Sequence, residues 1–273
     1  MSYLLVKIIN DKSHHFWHFM MGEFIPLCYL FSTKPKDTKW ILFHPTRNWG
    51  GGIFDSFYKE LSTNGVNIKL VNKQTEKFVS HVGFHEEWDF TWGDGGMERC
   101  KQGVQFIKKL STDRIAVNIT ATPSRGWLCQ YRGLNKKIKE YFMNANVGSR
   151  TYGTDKRQFL DVMDIHLHVS EDIYYRYSDD KPLFEQIREY TQGHVNIILE
   201  HGAGMVMILF MTWGEGSVLE LITPRKCKSI NGAEQGCVRI CQLVGKKLHR
   251  VVIENKQSVL PKINEIKYIV DST

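Results

Sequence analysis

Apolar segments of strand length alternate with helix-like segments along most of this 273-residue chain. The early candidate strands YLLVKII, KWILFHP and VNIKLVN are separated by predicted helices over residues 16–31 and 54–62. Later candidate strands are DRIAVNITATP, HVNIILEH, SVLELIT and LHRVVIE, with PLFEQIREYTQG as a predicted helix between the first two. Short buried strands joined by helices are typical of βαβ units. The sequence therefore predicts an α/β fold with mostly parallel sheets.

The alternation falls into two consecutive sets. We place the boundary near residue 111, which gives an N-terminal Rossmann-like domain over residues 1–111 and a C-terminal one over 112–273. The last predicted helix, near the end of the chain, is allowed to cross back to the first domain. Ligands of such folds bind outside the carboxyl ends of the strands, often in the cleft between two domains.

The charge distribution limits the classes of partner. A net charge of +7 arises from 36 basic and 29 acidic residues, and the basic residues are dispersed. No zinc finger, RNP-like motif or basic arm accompanies them, so we favour a solvated surface over nucleic-acid binding and predict no nucleic-acid partner. A phosphorylated small molecule is another partner that such a charge would suit. A basic nucleic-acid-binding α/β protein is the alternative.

The apolar content limits the location. No apolar run approaches the ~18 residues that a bilayer crossing needs, and the N-terminus lacks the pattern of a signal peptide. We therefore expect no membrane insertion and a cytoplasmic location. Six cysteines without a CxxC pair fit reduced thiols.

A turn of small residues, His201-Gly202-Ala203-Gly204, separates the strand VNIILE from MVMILFM, which we predict to be a buried helix. Small residues let backbone N–H groups approach an anion, and a helix N-terminus adds partial positive charge. The turn, together with Met205, is therefore a candidate diphosphate site. The alternative is a tight packing corner.

Charged residues near other strand ends suggest further ligand contacts. Glu220, in the strand SVLELIT, is placed to accept hydrogen bonds from ribose hydroxyls, or else is a surface glutamate. Arg125 and Arg132 flank a predicted loop, where they could bind phosphate oxygens or be solvated charges.

The N-terminal segment HHFWHFMMGEFIPL carries a candidate general base. His14 and His18 would share a helix face, but no third ligand suggests a metal site. His18 is our candidate base, with Glu23 as the carboxylate that orients it. The alternative is an aromatic packing face around a hydrogen-bonded histidine.

Taken together and in this order, the segments resemble glycosyltransferase family 61. The turn at residues 201–204, the apolar segment after it, Val218-Leu219-Glu220 and Pro224 match the family's HGAG and VxE pattern. The other matching positions are Glu185 and Gln186, then Ser124, Arg125, Arg132, Leu134 and Asn135, and finally His18, Phe19, Glu23 and Pro26.

The resemblance implies a GT-B architecture, with two small Rossmann-like domains facing a cleft, and inversion at the anomeric carbon without an obligatory metal. It implies a nucleotide-sugar donor, for which we favour UDP-xylose, and a hydroxyl of an oligosaccharide or other glycan as acceptor. A short chain without a leader would fit a bacterial or large-virus enzyme, such as a xylosyltransferase that builds capsid glycans.

The resemblance also assigns roles. His18 would be the base, supported by Glu23, with Asp94 as a weaker alternative. Donor contacts would come from Arg125, Arg132, Asn135, His201, Gly202, Ala203, Gly204, Met205 and Glu220. A nucleotide- or glycan-binding protein that has lost catalysis is the alternative function.

Overall fold

A computed structural model describes most of the predicted strands and helices. It describes residues 3–9, 16–45, 54–72, 80–83, 95–112, 127–130, 173–176, 182–191, 195–222, 233–253 and 262–273. The chain divides into two compact units. The first comprises Met1–Val117 and Pro182–Arg188, and the second comprises Asn118–Lys181 and Glu189–Thr273.

The first unit contains a parallel sheet of four strands in the order β3-β2-β1-β4. Its strands are β1 Tyr3–Ile9, β2 Lys39–Phe43, β3 Ile68–Val71 and β4 Ser80–Gly83. Its helices are α1 Phe16–Phe19, α2 Ile25–Ser32, α3 Asp55–Thr63 and α4 Gly96–Thr112. Val6 of the central strand β1 pairs with Leu42 of β2 and Ser80 of β4. Val6 and Leu42 have no exposed surface, as expected for the strands of a parallel sheet covered by helices.

The predicted helix over residues 16–31 is confirmed, but it is not a regular α-helix. A π-helix, Met20–Phe24, separates α1 from α2, and all five of its residues are buried. Further along, α2 packs against α4 at close range. A Cβ atom added to Gly103 would lie 2.5 Å from the Ile25 carbonyl oxygen, so glycine permits this approach.

The second unit contains a parallel sheet of five strands in the order β6-β5-β7-β8-β9. Its strands are β5 Trp127–Gln130, β6 Ile173–Arg176, β7 Asn196–Glu200, β8 Ser217–Ile222 and β9 Lys247–Val252. The helical elements that follow α4 are α5 Leu183–Thr191, a 3₁₀-helix Ala203–Phe210, α6 Ala233–Val244 and α7 Ile263–Asp271. The chain passes from the first unit to the second within α5. All six residues of β8 are buried, so this strand lies in the core of the second unit.

The predicted α/β class with parallel sheets is confirmed. Two details differ from the prediction. The segment around Trp127, predicted as a loop, is strand β5, with Trp127 and Leu128 buried in the core. Strands β4 and β6 and helix α6 had no counterpart among the predicted elements. The predicted strand over residues 113–123 lies outside the described residues.

A close contact joins the start of β7 to the turn before β8. Gly216 has a φ of +89°, and a Cβ atom there would lie 2.0 Å from the Val195 carbonyl oxygen. The buried Lys246 donates hydrogen bonds from Nζ to that oxygen, at 2.5 Å, and to the Glu215 carbonyl, at 2.8 Å. Gly216 and Lys246 therefore hold these two segments together at the amino ends of the strands.

In the described part of the chain, none of the helices combines the length and apolar character needed to cross a membrane. Four described cysteines, Cys28, Cys100, Cys237 and Cys241, are free and buried.

Candidate functional site

The small-residue turn stands at the carboxyl end of β7, where the sequence predicts it. The His201 N–H donates to the Leu221 carbonyl at 2.8 Å, which continues the β7–β8 ladder for one residue beyond the strand. Gly202 is extended, with a φ of 171°, and the 3₁₀-helix begins at Ala203. Since any residue adopts that φ, the backbone conformation at position 202 does not require glycine.

The helix after the turn is confirmed, but it is a 3₁₀-helix that begins two residues earlier than predicted. Met205 to Phe210 are all buried, which explains why this segment is so apolar. Gly202, Ala203 and Gly204 are only partly buried. Backbone N–H groups at the first turn of a helix are not used by intrahelical bonds. The amino end of this helix, rather than its buried remainder, is therefore the part that can contact a ligand.

Two candidate residues, His201 and Glu220, are brought together beside this turn. His201 Nδ1 lies 2.6 Å from Glu220 Oε1, and Glu220 has no exposed surface. His201 is 8% exposed. Such a carboxylate fixes both the orientation of the imidazole ring and the position of its proton.

A third residue completes this cluster, and the sequence did not indicate it. Arg250 of β9 pairs in register with Glu220, and its Nε atom lies 2.8 Å from Glu220 Oε2. Arg250 is 27% exposed, so the cluster extends from the core to solvent. The available signal was an arginine in the middle of the apolar strand LHRVVIE, a position that is costly for a cation without a buried partner.

Glu220 is ionised in this setting. Burial acts to raise its pKa, but the hydrogen bonds and charges of His201 and Arg250 prevail, so its pKa lies below the ordinary value. An ionised carboxylate only accepts hydrogen bonds. His201 Nδ1 therefore carries a hydrogen atom and donates a hydrogen bond to Glu220. The neutral form of His201 therefore has its basic nitrogen at Nε2.

The predicted contact of Glu220 with ribose stays a prediction. In this structure each of its two oxygens accepts a hydrogen bond from the protein. This arrangement favours a role in holding His201 and Arg250 in place.

Helix α6 brings two thiols close to the same carboxylate. Cys237 and Cys241, one helical turn apart, are both buried. The hydrogen bond with Cys241, burial and the Glu220 charge all raise the pKa of Cys237, so it is a thiol rather than a thiolate. Across the described ranges, no group of three or more His, Cys, Asp or Glu side chains is arranged to hold a metal ion.

The N-terminal candidates His18 and Glu23 belong to the first unit. His18 lies in α1 and is partly exposed, whereas Glu23 lies in the π-helix and is fully buried. The Tyr58 hydroxyl of α3 donates a short hydrogen bond to Glu23 Oε1. π-Helices occur often at functional sites, because they displace one side chain from the regular helical pattern. The support of His18 by Glu23 stays a prediction.

Four predicted site residues, Asp94, Arg125, Arg132 and Asn135, lie outside the described residues. The structure thus bears on the donor-side candidates at positions 201–205 and 220, and on His18 and Glu23.

No known protein family matches this chain, and no curated protein is similar to it at a significant level. The resemblance to glycosyltransferase family 61 therefore stays a prediction.

Proposed function

We propose that this protein is an inverting glycosyltransferase that moves a sugar from a nucleotide donor to a hydroxyl group of a glycan. The first donor to test is UDP-xylose. The observation that carries the proposal is the cluster of His201, Glu220 and Arg250 beside a helix N-terminus at the carboxyl ends of parallel strands.

The donor part of the proposal rests on electrostatics. A nucleotide sugar presents a diphosphate, and its negative charge grows as the bond to the sugar breaks. The amino end of the 3₁₀-helix offers backbone N–H groups and partial positive charge to such an anion. Arg250 adds a cation beside it, and Glu220 holds both Arg250 and His201 in fixed positions. Groups placed before the reaction stabilise developing charge without reorganising.

The acceptor part rests on the histidine of the first unit. In an inverting reaction, a base removes the proton of the attacking hydroxyl as oxygen bonds to the anomeric carbon and the diphosphate leaves. We assign this role to His18, with Asp94 as the alternative. The imidazole of His18 is partly exposed, so a substrate can reach it. A base of this kind contributes about 10²–10⁴-fold to a rate.

The decisive experiment is a screen of UDP and GDP sugars with a panel of glycan acceptors, in which nucleotide release and product mass are both measured. We expect transfer with inversion, and we expect it to continue with a chelator present. If UDP binds but no nucleotide sugar is cleaved or transferred, the protein is a nucleotide-binding protein without catalysis.

Replacement of His18 separates catalysis from binding. His18→Ala should lower turnover by at least about 10²-fold while UDP affinity, measured by calorimetry, stays within about twofold. The matched control is Lys101→Ala, because the Lys101 side chain on α4 is also partly exposed. This variant should change neither turnover nor UDP affinity. Normal transfer by the His18 variant would exclude this histidine as the base.

A further inference from the structure

Helix α3 is in contact with the segment that carries His18. The ring centroid of Phe57 lies 6.4 Å from that of Phe16 and 5.4 Å from that of Phe19. Phe16 and Phe19 are the first and last residues of α1, and His18 lies between them in the sequence. The contacts with α3 therefore fix the backbone of α1 before and after the candidate base.

The π-helix that follows α1 contacts α3 as well. The ring centroid of Phe24 lies 5.7 Å from that of Phe57, and the Tyr58 hydroxyl donates a hydrogen bond to Glu23 Oε1. Glu23, Phe24 and Tyr58 are buried. Because closely packed interiors transmit strain, a displacement of α3 would displace α1 and the π-helix with it.

The second half of α3 has a different partner. Glu60 lies three residues after Phe57, within one turn of the helix. Each of its carboxylate oxygens accepts a hydrogen bond from a backbone N–H at the start of α5, one from Leu183 and the other from Phe184. The same turn of α3 thus makes aromatic contacts with α1 and hydrogen bonds with α5.

Helix α5 offers α3 a fixed support. Three of its apolar side chains are buried, namely Leu183, Phe184 and Ile187. Arg188 donates a hydrogen bond of 3.2 Å to the Ser111 carbonyl in the last turn of α4. Residues 182–188 belong to the first unit, together with α1, α3 and α4. The amino-terminal half of α5 is therefore held by several contacts besides its two hydrogen bonds with Glu60.

We propose that Glu60 is a positioning residue for the candidate base. By binding the first turn of α5, its carboxylate fixes α3, and α3 in turn fixes the backbone of α1 around His18. Coupling of this kind travels through packed side chains, hydrogen bonds and rigid helices, and each contact between Glu60 and α1 is of one of these kinds. The inference rests on the role proposed for His18. A misplacement of about 1 Å at a catalytic group can lower a rate by about 10²-fold.

NMR of the whole protein tests the position of His18 directly. The imidazole C–H resonance of His18 can be assigned by its loss in His18→Ala. Glu60→Ala should shift this resonance by more than its line width because α1 moves, whereas Lys59→Ala, at the exposed neighbouring position, should leave it in place. The imidazole resonance of His201, in the second unit, should be unchanged in both variants. A lower free energy of unfolding alone does not move the resonances of the folded state.

Two more variants separate positioning from a general loss of stability. Glu60→Gln keeps one carbonyl oxygen that can accept a hydrogen bond from α5, so the His18 resonance should move less than in Glu60→Ala. Phe57→Leu weakens the link between α3 and α1. When Phe57→Leu is already present, Glu60→Ala should have little further effect on the His18 resonance, since effects along one chain of contacts are not additive.

Activity supplies an independent measurement. Glu60→Ala should lower the turnover of nucleotide-sugar transfer by about 10–10²-fold and leave UDP affinity within about twofold of the wild-type value. An unchanged His18 resonance in Glu60→Ala, or in Glu60→Gln if only that variant folds, would overturn the inference and leave the proposed function in place. No transfer by the wild-type protein would overturn the proposed function, and with it the catalytic purpose of this positioning.

Discussion

Glu60 and Leu183 lie 123 positions apart in the sequence, yet a carboxylate oxygen of Glu60 accepts a hydrogen bond of 2.9 Å from the Leu183 backbone N–H. Its other oxygen accepts one of 2.8 Å from the Phe184 N–H. Both N–H groups belong to the first turn of α5, where a helix has no acceptor of its own. The negative charge of Glu60 also suits a helix N-terminus. Glu60 of α3 therefore caps a helix that is distant in sequence.

Replacement of Glu60 by alanine should destabilise the protein, because two N–H groups at the start of α5 lose a charged acceptor. We expect Glu60→Ala to lower the free energy of unfolding by about 1–3 kcal/mol, measured by urea denaturation at neutral pH. The control is Glu98→Ala, which removes an exposed carboxylate that accepts a hydrogen bond from Gln102. Equal effects of the two substitutions would contradict the capping role.

The buried carboxylate of Glu220 should make stability depend on acid. Because His201 and Arg250 hold its folded-state pKa below the ordinary value of 4.5, its contribution to stability is present above that pH. The contribution is lost as pH falls through the folded-state pKa. Glu220→Gln should lower the free energy of unfolding at neutral pH by about 3 kcal/mol, since it leaves a charged partner behind.

Repeating the denaturation experiment over a series of pH values tests the direction of this pH dependence. The difference in unfolding free energy between the wild type and Glu220→Gln should shrink as pH falls below 4.5. Glu215→Gln, at an exposed position before β8, should show no such trend. A difference that grows toward acid pH would show that Glu220 is protonated in the folded state.

Two glycines with similar positive φ values should respond very differently to substitution. Gly214 has a φ of +94° with open space around an added Cβ, whereas at Gly216 the added atom would lie 2.0 Å from the Val195 carbonyl oxygen. Gly214→Ala should cost only the left-handed backbone strain, about 1–2 kcal/mol. Gly216→Ala adds a clash with backbone and should cost more than about 3 kcal/mol or prevent folding. Thermal melts and soluble yield compare the pair. Similar losses would mean that Val195 can move away.

Tyr58 should stabilise the first unit through its hydrogen bond with Glu23. Tyr58→Phe removes the hydroxyl that donates to this fully buried carboxyl group and keeps the ring. We expect a loss of about 1–3 kcal/mol in unfolding free energy, measured by urea denaturation, because a buried acceptor loses its donor.

The control for Tyr58 is Tyr268→Phe, since Tyr268 is 75% exposed. It should change stability very little. Equal losses of unfolding free energy in Tyr58→Phe and Tyr268→Phe would show that the hydrogen bond to Glu23 contributes nothing measurable.

Most strands and helices that the structure describes could be predicted, because their apolar runs have the right length and are bounded by turn residues. Strand β5 was harder to predict. Its four residues, WLCQ, lie close to two arginines in the sequence, and local composition there favours a loop. The strand forms because β6 and β7 pair with it on either side, a contact that depends on distant parts of the chain.

The turn at residues 201–204 and Glu220 could be predicted from the sequence as parts of the candidate site, whereas Arg250 could not. A single arginine in an apolar strand resembles a surface charge until the register of β8 and β9 places it opposite Glu220. No local sequence pattern predicts the π-helix either. Met20 to Phe24 include no polar face that would reveal a change of helical period, and the buried Glu23 is explained only by its contact with α3.

The Val195 carbonyl oxygen should constrain two sequence positions during evolution. It accepts a hydrogen bond from the Lys246 ammonium group and leaves no room for a side chain at Gly216. Neither requirement involves the turn at residues 201–204, so mutations that abolish or redirect chemistry there would leave both in force. Descendants of this fold that have acquired other activities should therefore still carry glycine and lysine at these two positions, as a trace of common ancestry that outlasts the loss of the original reaction.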